Sequence, residues 1–194
     1  MVAATLLAAG TKRLSFYADD PPMIGTSILG FPVKGVVSDI PKRGSSKAIL
    51  GIGSNEARQR LASELDLDWV SAVHPFSSVD PSSTVGIGTV VCAGAIVQAE
   101  ANVGAHVILN TKASVDHHTK VGDYSHVAVA HLAGNASIGE GVFLALHSVV
   151  LPGITVGRWS TVGAGAVVTK DVAPNTLVVG VPARPIEQSP PIEP

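Results

Sequence analysis

The sequence predicts a mainly β protein, a parallel β-helix of six-residue repeats preceded by a small α/β domain, and three observations predict it. Over residues 85–168 an aliphatic side chain returns at every sixth position: Val85, Val91, Val97, Val103, Leu109, Val115 and Val121, then Leu132, Ile138, Leu144, Val150, Val156, Val162 and Val168. Small residues keep the same beat, with Gly86, Gly104, Gly122, Gly139, Gly157 and Gly163 one place after the aliphatic one, and Ala95, Ala101, Ala113, Ser125, Ala136, Ser148, Ser160 and Ala166 four places after it. Hydrophobic residues make up 46% of the chain but aromatic ones only 4%, the balance of a narrow core filled by stacked aliphatic rungs. A period of six matches neither the helical repeat of 3.6 nor the strand repeat of 2, so it marks a solenoid whose repeats stack on one another.

Taken in chain order, the opening apolar run 2–9 reads as a helix; it is too short to cross a bilayer, and Lys12-Arg13 follow it where a signal peptide would carry its charge first. Residues 13–17 and 47–52 read as buried strands, 56–65 as a helix capped by Ser54 or Asn55 with Glu56 in its first turn, and 68–73 as a further strand. Strand–helix alternation places a parallel α/β domain over residues 1–75, joined through His74-Pro75-Phe76 to a solenoid over 76–187. In the solenoid each hexad forms one side of a triangular coil, with the β-branched residue pointing inward and small residues at the corners. Between Val127 and Leu132 one residue is missing, and a break in a regular repeat marks a candidate site. The proline-rich tail 188–194 is expected to be disordered.

Charge and cysteine usage narrow the partners. A net charge of −2 offers nothing to nucleic acid or to an anionic membrane, and a lone Cys92 rules out an internal disulfide and fits a reducing, cytoplasmic setting.

The run 108–118 (Ile-Leu-Asn-Thr-Lys-Ala-Ser-Val-Asp-His-His), then Val121-Gly122-Asp123-Tyr124-Ser125-His126, Ala133-Gly134-Asn135 and Val179-Gly180-Val181-Pro182-Ala183-Arg184 carry a resemblance. It is to the bacterial nucleotide-sugar acetyltransferases of the sialic acid O-acetyltransferase NeuD family, which includes N-acetyltransferases of UDP- or GDP-linked amino-deoxy sugars. The resemblance covers residues 10–187. It implies a left-handed β-helix, a homotrimer with sites between subunits, acetyl-CoA as donor, no metal, and an N-terminal domain that holds the nucleotide-sugar acceptor. It implies His117 as general base, Gly134 against acetyl-CoA, Leu146 and Ala164 along the pantetheine, Arg184 near the adenine end, and Asp19, Asp20 and Gly53 at the nucleotide. Asn110 orients base or substrate, and His126 contacts substrate or coenzyme. Two departures stand out. The close amino-sugar enzymes follow the base with a carboxylate, whereas here the next residue is His118, leaving Asp116 on the other side to hold the tautomer. Their domains also open with a strand and a Gly-rich loop, whereas this chain opens inside the helix that follows them.

An imidazole titrating near neutrality suits removal of a proton from an attacking amine, a contribution of roughly 10²–10⁴-fold. His117 and His126 are nine residues apart, half of a coil of about eighteen, so within one chain they should face different ways and meet only across a subunit interface. His106 and His147 read as surface residues, and His131 as filling the shortened corner. Three rival readings remain: O-acetylation of a sugar such as sialic acid, a zinc-dependent γ-class carbonic anhydrase-like lyase using the pair His126 and His131, and a non-catalytic scaffold.

Overall fold

Three parallel ladders carry the hexads in the computed structural model, which describes residues 1–41, 43–44 and 46–186; the tail 188–194 lies outside the described residues. The first face climbs from Ala72–Val73 through Val90–Val91, Ile108–Leu109, His126–Val127, Phe143–Leu144 and Thr161–Val162 to Leu177–Val179, with Arg184–Pro185 added antiparallel at its end. The second face runs from Ser78–Val79 to Val167–Val168, and the third from Thr84–Val85 to Thr155–Val156. In each two-residue strand the second side chain points into the prism, and Val91, Leu109, Val115, Leu132, Leu144 and Val162 are completely buried. Truncating one of these leucines to alanine should cost about 2–5 kcal/mol, because a stack this narrow has little room to collapse. The glycines of the repeat allow the coils to touch: a Cβ on Gly86 would lie 2.5 Å from the backbone of Gly104.

Successive coils are eighteen residues apart, as in the bond from Val107 N to Thr89 Oγ1, but the bond from Val142 N to Ser125 Oγ spans seventeen. The missing residue is absorbed at the corner between first and second faces, where Val129 takes a positive φ of 51° and Ala128 and Ala130 are buried. Other corners repeat a left-handed residue from coil to coil, with Glu100, His118 and Asn135 at φ of 58°, 59° and 60° between second and third faces. Equal backbone geometry at one corner of successive coils aims their side chains the same way, and His118 meets Glu100 one coil below.

The N-terminal region departs in detail from its sequence reading. Helix α1 (Val2–Ala8) packs its Val2 with Ala72, Val90 and Cys92 of the first face. Helix α2 (Asn55–Glu64) begins as expected, with the Ser54 hydroxyl accepting from Ala57 N at 3.2 Å. The expected strands shrink to Phe16–Tyr17 and Lys47–Ala48; the latter pairs in parallel with Asp68–Trp69. Phe16–Tyr17 pairs instead with Phe31–Gly35, which also forms an antiparallel hairpin with Ser27–Ile28 around Leu29 and Gly30, both at positive φ. The run 68–73 splits, and its second half, Ala72–Val73, already belongs to the first solenoid face.

What fastens this region to the solenoid is a buried cation. Arg58 of α2 is 1% exposed. It donates to the carbonyls of His106 (3.1 Å), Ile52 (2.9 Å), Gly53 (2.8 Å) and Tyr124 (2.6 Å) and to Asn55 Oδ1 (2.7 Å). Burial lowers its pKa to about 10, and the nearby Glu56 charge works in the opposite direction. Asn55 adds a bond to the Gly141 carbonyl at 3.0 Å.

Candidate active site

His117 stands on the corner between the second and third faces, exposed, at the start of a short chain of imidazoles. Its Nδ1 lies 3.0 Å from Nδ1 of His118, with the two rings at 88°. His118 Nε2 lies 3.0 Å from Glu100 Oε2, one coil below at the same corner position. The other end of the His117 ring faces Gly134: a Cβ there would sit 2.5 Å from Nε2. The absence of a side chain at 134 therefore lets the His117 ring lie against the backbone there. Asp116 does not hold the ring as expected. Its Oδ1 accepts from the backbone N–H of His117 at 2.8 Å, because neighbouring residues on an extended segment project to opposite sides.

His126 belongs to a second cluster on the first face, under the N-terminal domain. It is buried, its Nε2 lies 3.2 Å from Asn110 Nδ2, and burial and then the Arg58 charge lower its pKa to about 4, against the pull of the Gly53 backbone. Asn110 Oδ1 is taken by Thr111 N at 2.7 Å, which orients the amide so that its NH₂ donates to His126 Nε2. The proton of the neutral ring is then on Nδ1, a buried donor with no partner among the described residues. Gly53, half-buried, gives its carbonyl to Arg58 and brings its backbone to His126.

The first-to-second corner carries Asn110, the shortened segment, and above them exposed Leu146 and Ala164, which are joined by the bond from Gly165 N to Leu146 O at 2.8 Å. Arg184 is exposed, its guanidinium bonded to the Ala183 carbonyl at 2.8 Å. Asp19 and Asp20 are exposed in the turn leading into Pro21–Met23. Asp19 Oδ1 accepts from Val37 N at 2.9 Å, and the Asp20 carbonyl accepts from Met23 N at 2.9 Å.

His147 is exposed, as its sequence reading has it. His106 is not a surface residue: it stacks on Tyr124 (5.6 Å between centroids, 7° between planes) and meets the edge of Trp69 (5.1 Å). His131 is half-buried on a second-face strand rather than in the shortened corner. Glu100 and Arg58 escaped the sequence reading. The signal for Glu100 was present, since it precedes His118 by one coil; Arg58, in a polar helix, carries no local signal. Among the described residues no three His, Cys, Asp or Glu side chains gather as a metal site, and no helix is long and apolar enough to cross a membrane. The grooves along Arg43–Lys47–Trp69 and Val37–Ile40–Leu67 reach neither His117 nor His126.

No family model matches the chain. Solved structures do. PerB from Caulobacter crescentus, in complex with CoA and GDP-perosamine, is 35% identical with a TM-score of 0.90, covering 96% of this chain and 91% of that one. The acetyltransferase domain of PglB from Neisseria gonorrhoeae, in complex with acetyl coenzyme A, is 33% identical with a TM-score of 0.86, covering 95% and 91%. Among curated proteins, the galactoside O-acetyltransferase of Escherichia coli is 46% identical over 52 residues, 27% of this chain; the chain thus matches about a quarter (26%) of that relative's length.

Proposed function

The chain belongs to the hexapeptide-repeat nucleotide-sugar acetyltransferases, left-handed β-helix enzymes that use acetyl-CoA, and we propose that it moves acetyl to the amino group of a nucleotide-linked amino sugar with His117 as general base. The observation that carries this reading is the ring of His117, with Nδ1 engaged by His118 and Nε2 free over Gly134. The amine nitrogen attacks the thioester carbonyl while its proton passes to His117 Nε2. As the tetrahedral centre collapses the C–S bond breaks, and the same proton passes to the leaving sulfur, giving amide and free CoA thiol. A hydrogen-bond donor at the thioester oxygen, worth on the order of 10²–10³-fold, is needed as well.

Topology supports a site between chains. In a three-sided prism the corner that carries His117 is opposite the first face, which carries His126, Asn110 and the docked N-terminal domain with Gly53. Base and acceptor site therefore come together only between two subunits, in a closed trimer. The outward residues of the third face are polar (Thr84, Asn102, Lys120, Ser137, Thr155), whereas the second face offers Ile96, Val149 and Val167 for burial between copies. Acceptor identity follows the PerB likeness: GDP-perosamine carries a free amine, the nucleophile that this base serves.

The test combines one assay with one mixture. With acetyl-CoA and a panel of GDP- and UDP-linked amino sugars beside their hydroxyl analogues, His117→Ala should lower kcat at least ~10²-fold while leaving acetyl-CoA binding intact. Mixing His117→Ala chains with His126→Gln chains should restore part of the turnover. Full activity in His117→Ala would move the base elsewhere, and preference for hydroxyl acceptors would overturn the amine reading in favour of O-acetylation.

A further inference from the structure

We propose that Glu100 is a positioning residue for the base, acting through His118, so that two residues stacked one coil apart replace a carboxylate that would touch His117 directly. The inference rests on His117 as the base. His118 alone cannot supply negative charge, but it is one link in a chain with defined roles: Glu100 Oε2 lies 3.0 Å from His118 Nε2, and His118 Nδ1 lies 3.0 Å from His117 Nδ1. A carboxylate only accepts, so His118 Nε2 carries its proton and His118 Nδ1 presents a lone pair. The proton on His117 must then sit on Nδ1, leaving Nε2 as the unprotonated nitrogen over Gly134. This is the tautomer that can take a proton from an amine. When it does, the new imidazolium still donates through Nδ1 to a ring polarised by Glu100, which opposes the developing charge without any proton leaving His118.

The fold accounts for the alignment. Glu100 and His118 occupy the same left-handed corner position in consecutive coils, at φ of 58° and 59°, and the bond from His118 N to the Ala99 carbonyl at 3.1 Å fixes their stacking. Their side chains are half or more exposed, at 65% and 51%. A pair this open contributes little to stability, so its removal separates a catalytic role from a structural one. Asp116, the other charged group beside His117, is engaged by the backbone and offers the ring no competing acceptor bond.

The experiment uses the full-length protein, with the tautomer of His117 read from its ring ¹⁵N shifts and assigned against His117→Ala. Glu100→Ala, which removes the acceptor altogether, should shift His117 from the Nδ1–H form toward the Nε2–H form that free imidazole side chains favour, and should lower kcat about 10-fold with acetyl-CoA and GDP-perosamine, with the KM for acetyl-CoA and the Tm unchanged. In a His118→Glu background, where a carboxylate meets His117 directly, the same change should cost less than about 2-fold, the signature of coupled residues. An unchanged tautomer in Glu100→Ala, or an equal loss of kcat in both backgrounds, would overturn the role of Glu100. Turnover retained by His117→Ala would instead overturn the base itself. The tautomer measurement needs no substrate, so it decides the Glu100 question whichever sugar the enzyme prefers.

Discussion

Gly134→Ala is the change that the geometry of the base judges most severely. A Cβ at that position would lie 2.5 Å from Nε2 and 2.6 Å from Cε1 of His117, whereas ordinary contacts between non-bonded heavy atoms are about 3.5–4.0 Å. The ring must therefore move by about 1 Å, because the alternative is to shift backbone held by the bond from Gly153 N to the Gly134 carbonyl at 3.1 Å. Moving an exposed side chain costs little stability, so Tm should stay within a few degrees of the parent. Activity should not survive as well. A displacement of about 1 Å at a reacting group can cost ~10²-fold. The assay follows free CoA thiol release with acetyl-CoA and GDP-perosamine, alongside calorimetric binding of CoA. Loss of kcat with CoA binding retained is the expected pattern. Undiminished kcat would refute the proposal that His117 works from this ring position, and loss of CoA affinity alone would assign Gly134 to the coenzyme, the role that the family resemblance implies for it.

Two further outcomes test how the N-terminal domain is held and how the second histidine is ionised. Arg58→Met leaves several buried carbonyls without a donor and should destabilise the protein by about 3–5 kcal/mol, read from urea unfolding, with a mild transition in which α2 detaches before the solenoid melts; a variant as stable as the parent would show that hydrophobic packing holds the domain. His126 has a folded pKa of about 4, below its ordinary 6.5. The unfolded chain therefore takes up the proton first: stability from this residue is complete above about pH 6.5, falls by up to about 3 kcal/mol as pH drops toward 4, and levels off below that. His126→Gln should lose distinctly less stability than the parent between pH 7 and 4.5, with His106, shifted the same way by burial, contributing equally to both proteins; parallel losses would mean that His126 is not buried in neutral form.

The solenoid was legible because its signal is redundant. Each inward position from Val91 to Val168 repeats the same message, and the missing residue near Val127 appears in the structure as a seventeen-residue coil. Such a period reports what points inward and says nothing about what covers the outside. That is why His106 reads as a surface residue although Trp69 and Tyr124 enclose it, and why Arg58 reads as one more polar residue in a helix of Arg, Gln and Glu. The N-terminal strands were overextended for a related reason. Apolar runs such as 47–52 promise a long strand, but only Lys47–Ala48 finds a partner, and the rest leads into α2. The Leu29-Gly30 turn did carry a hairpin signal, a two-residue loop ending in glycine between short apolar segments.

The corner that carries His117 shows what stacking adds to a repeat. Below His117 lies Ala99, whose carbonyl receives the His118 N–H, and above it lies Gly134, whose neighbour Asn135 donates its N–H to the His117 carbonyl at 3.0 Å. The column through His117 is thus small, large, small, which frees the ring. The adjacent column through Glu100, His118 and Asn135 is polar throughout, and it supplies the ring with a partner. One column gives the imidazole room and the other gives it a hydrogen-bond partner, and both follow from the same register of coils. Changes in the first column at 99 or 134 should act by crowding, whatever their polarity. In the second column, substitutions at 100 or 118 should act through charge and hydrogen bonding and be insensitive to size, so alanine at 100, which removes charge and acceptor together, should be at least as damaging as glutamine, whose amide oxygen still accepts from His118 Nε2. An alanine at 100 that retained the activity of glutamate would show that neither charge nor hydrogen bonding acts there, and the two-column account of the site would fail.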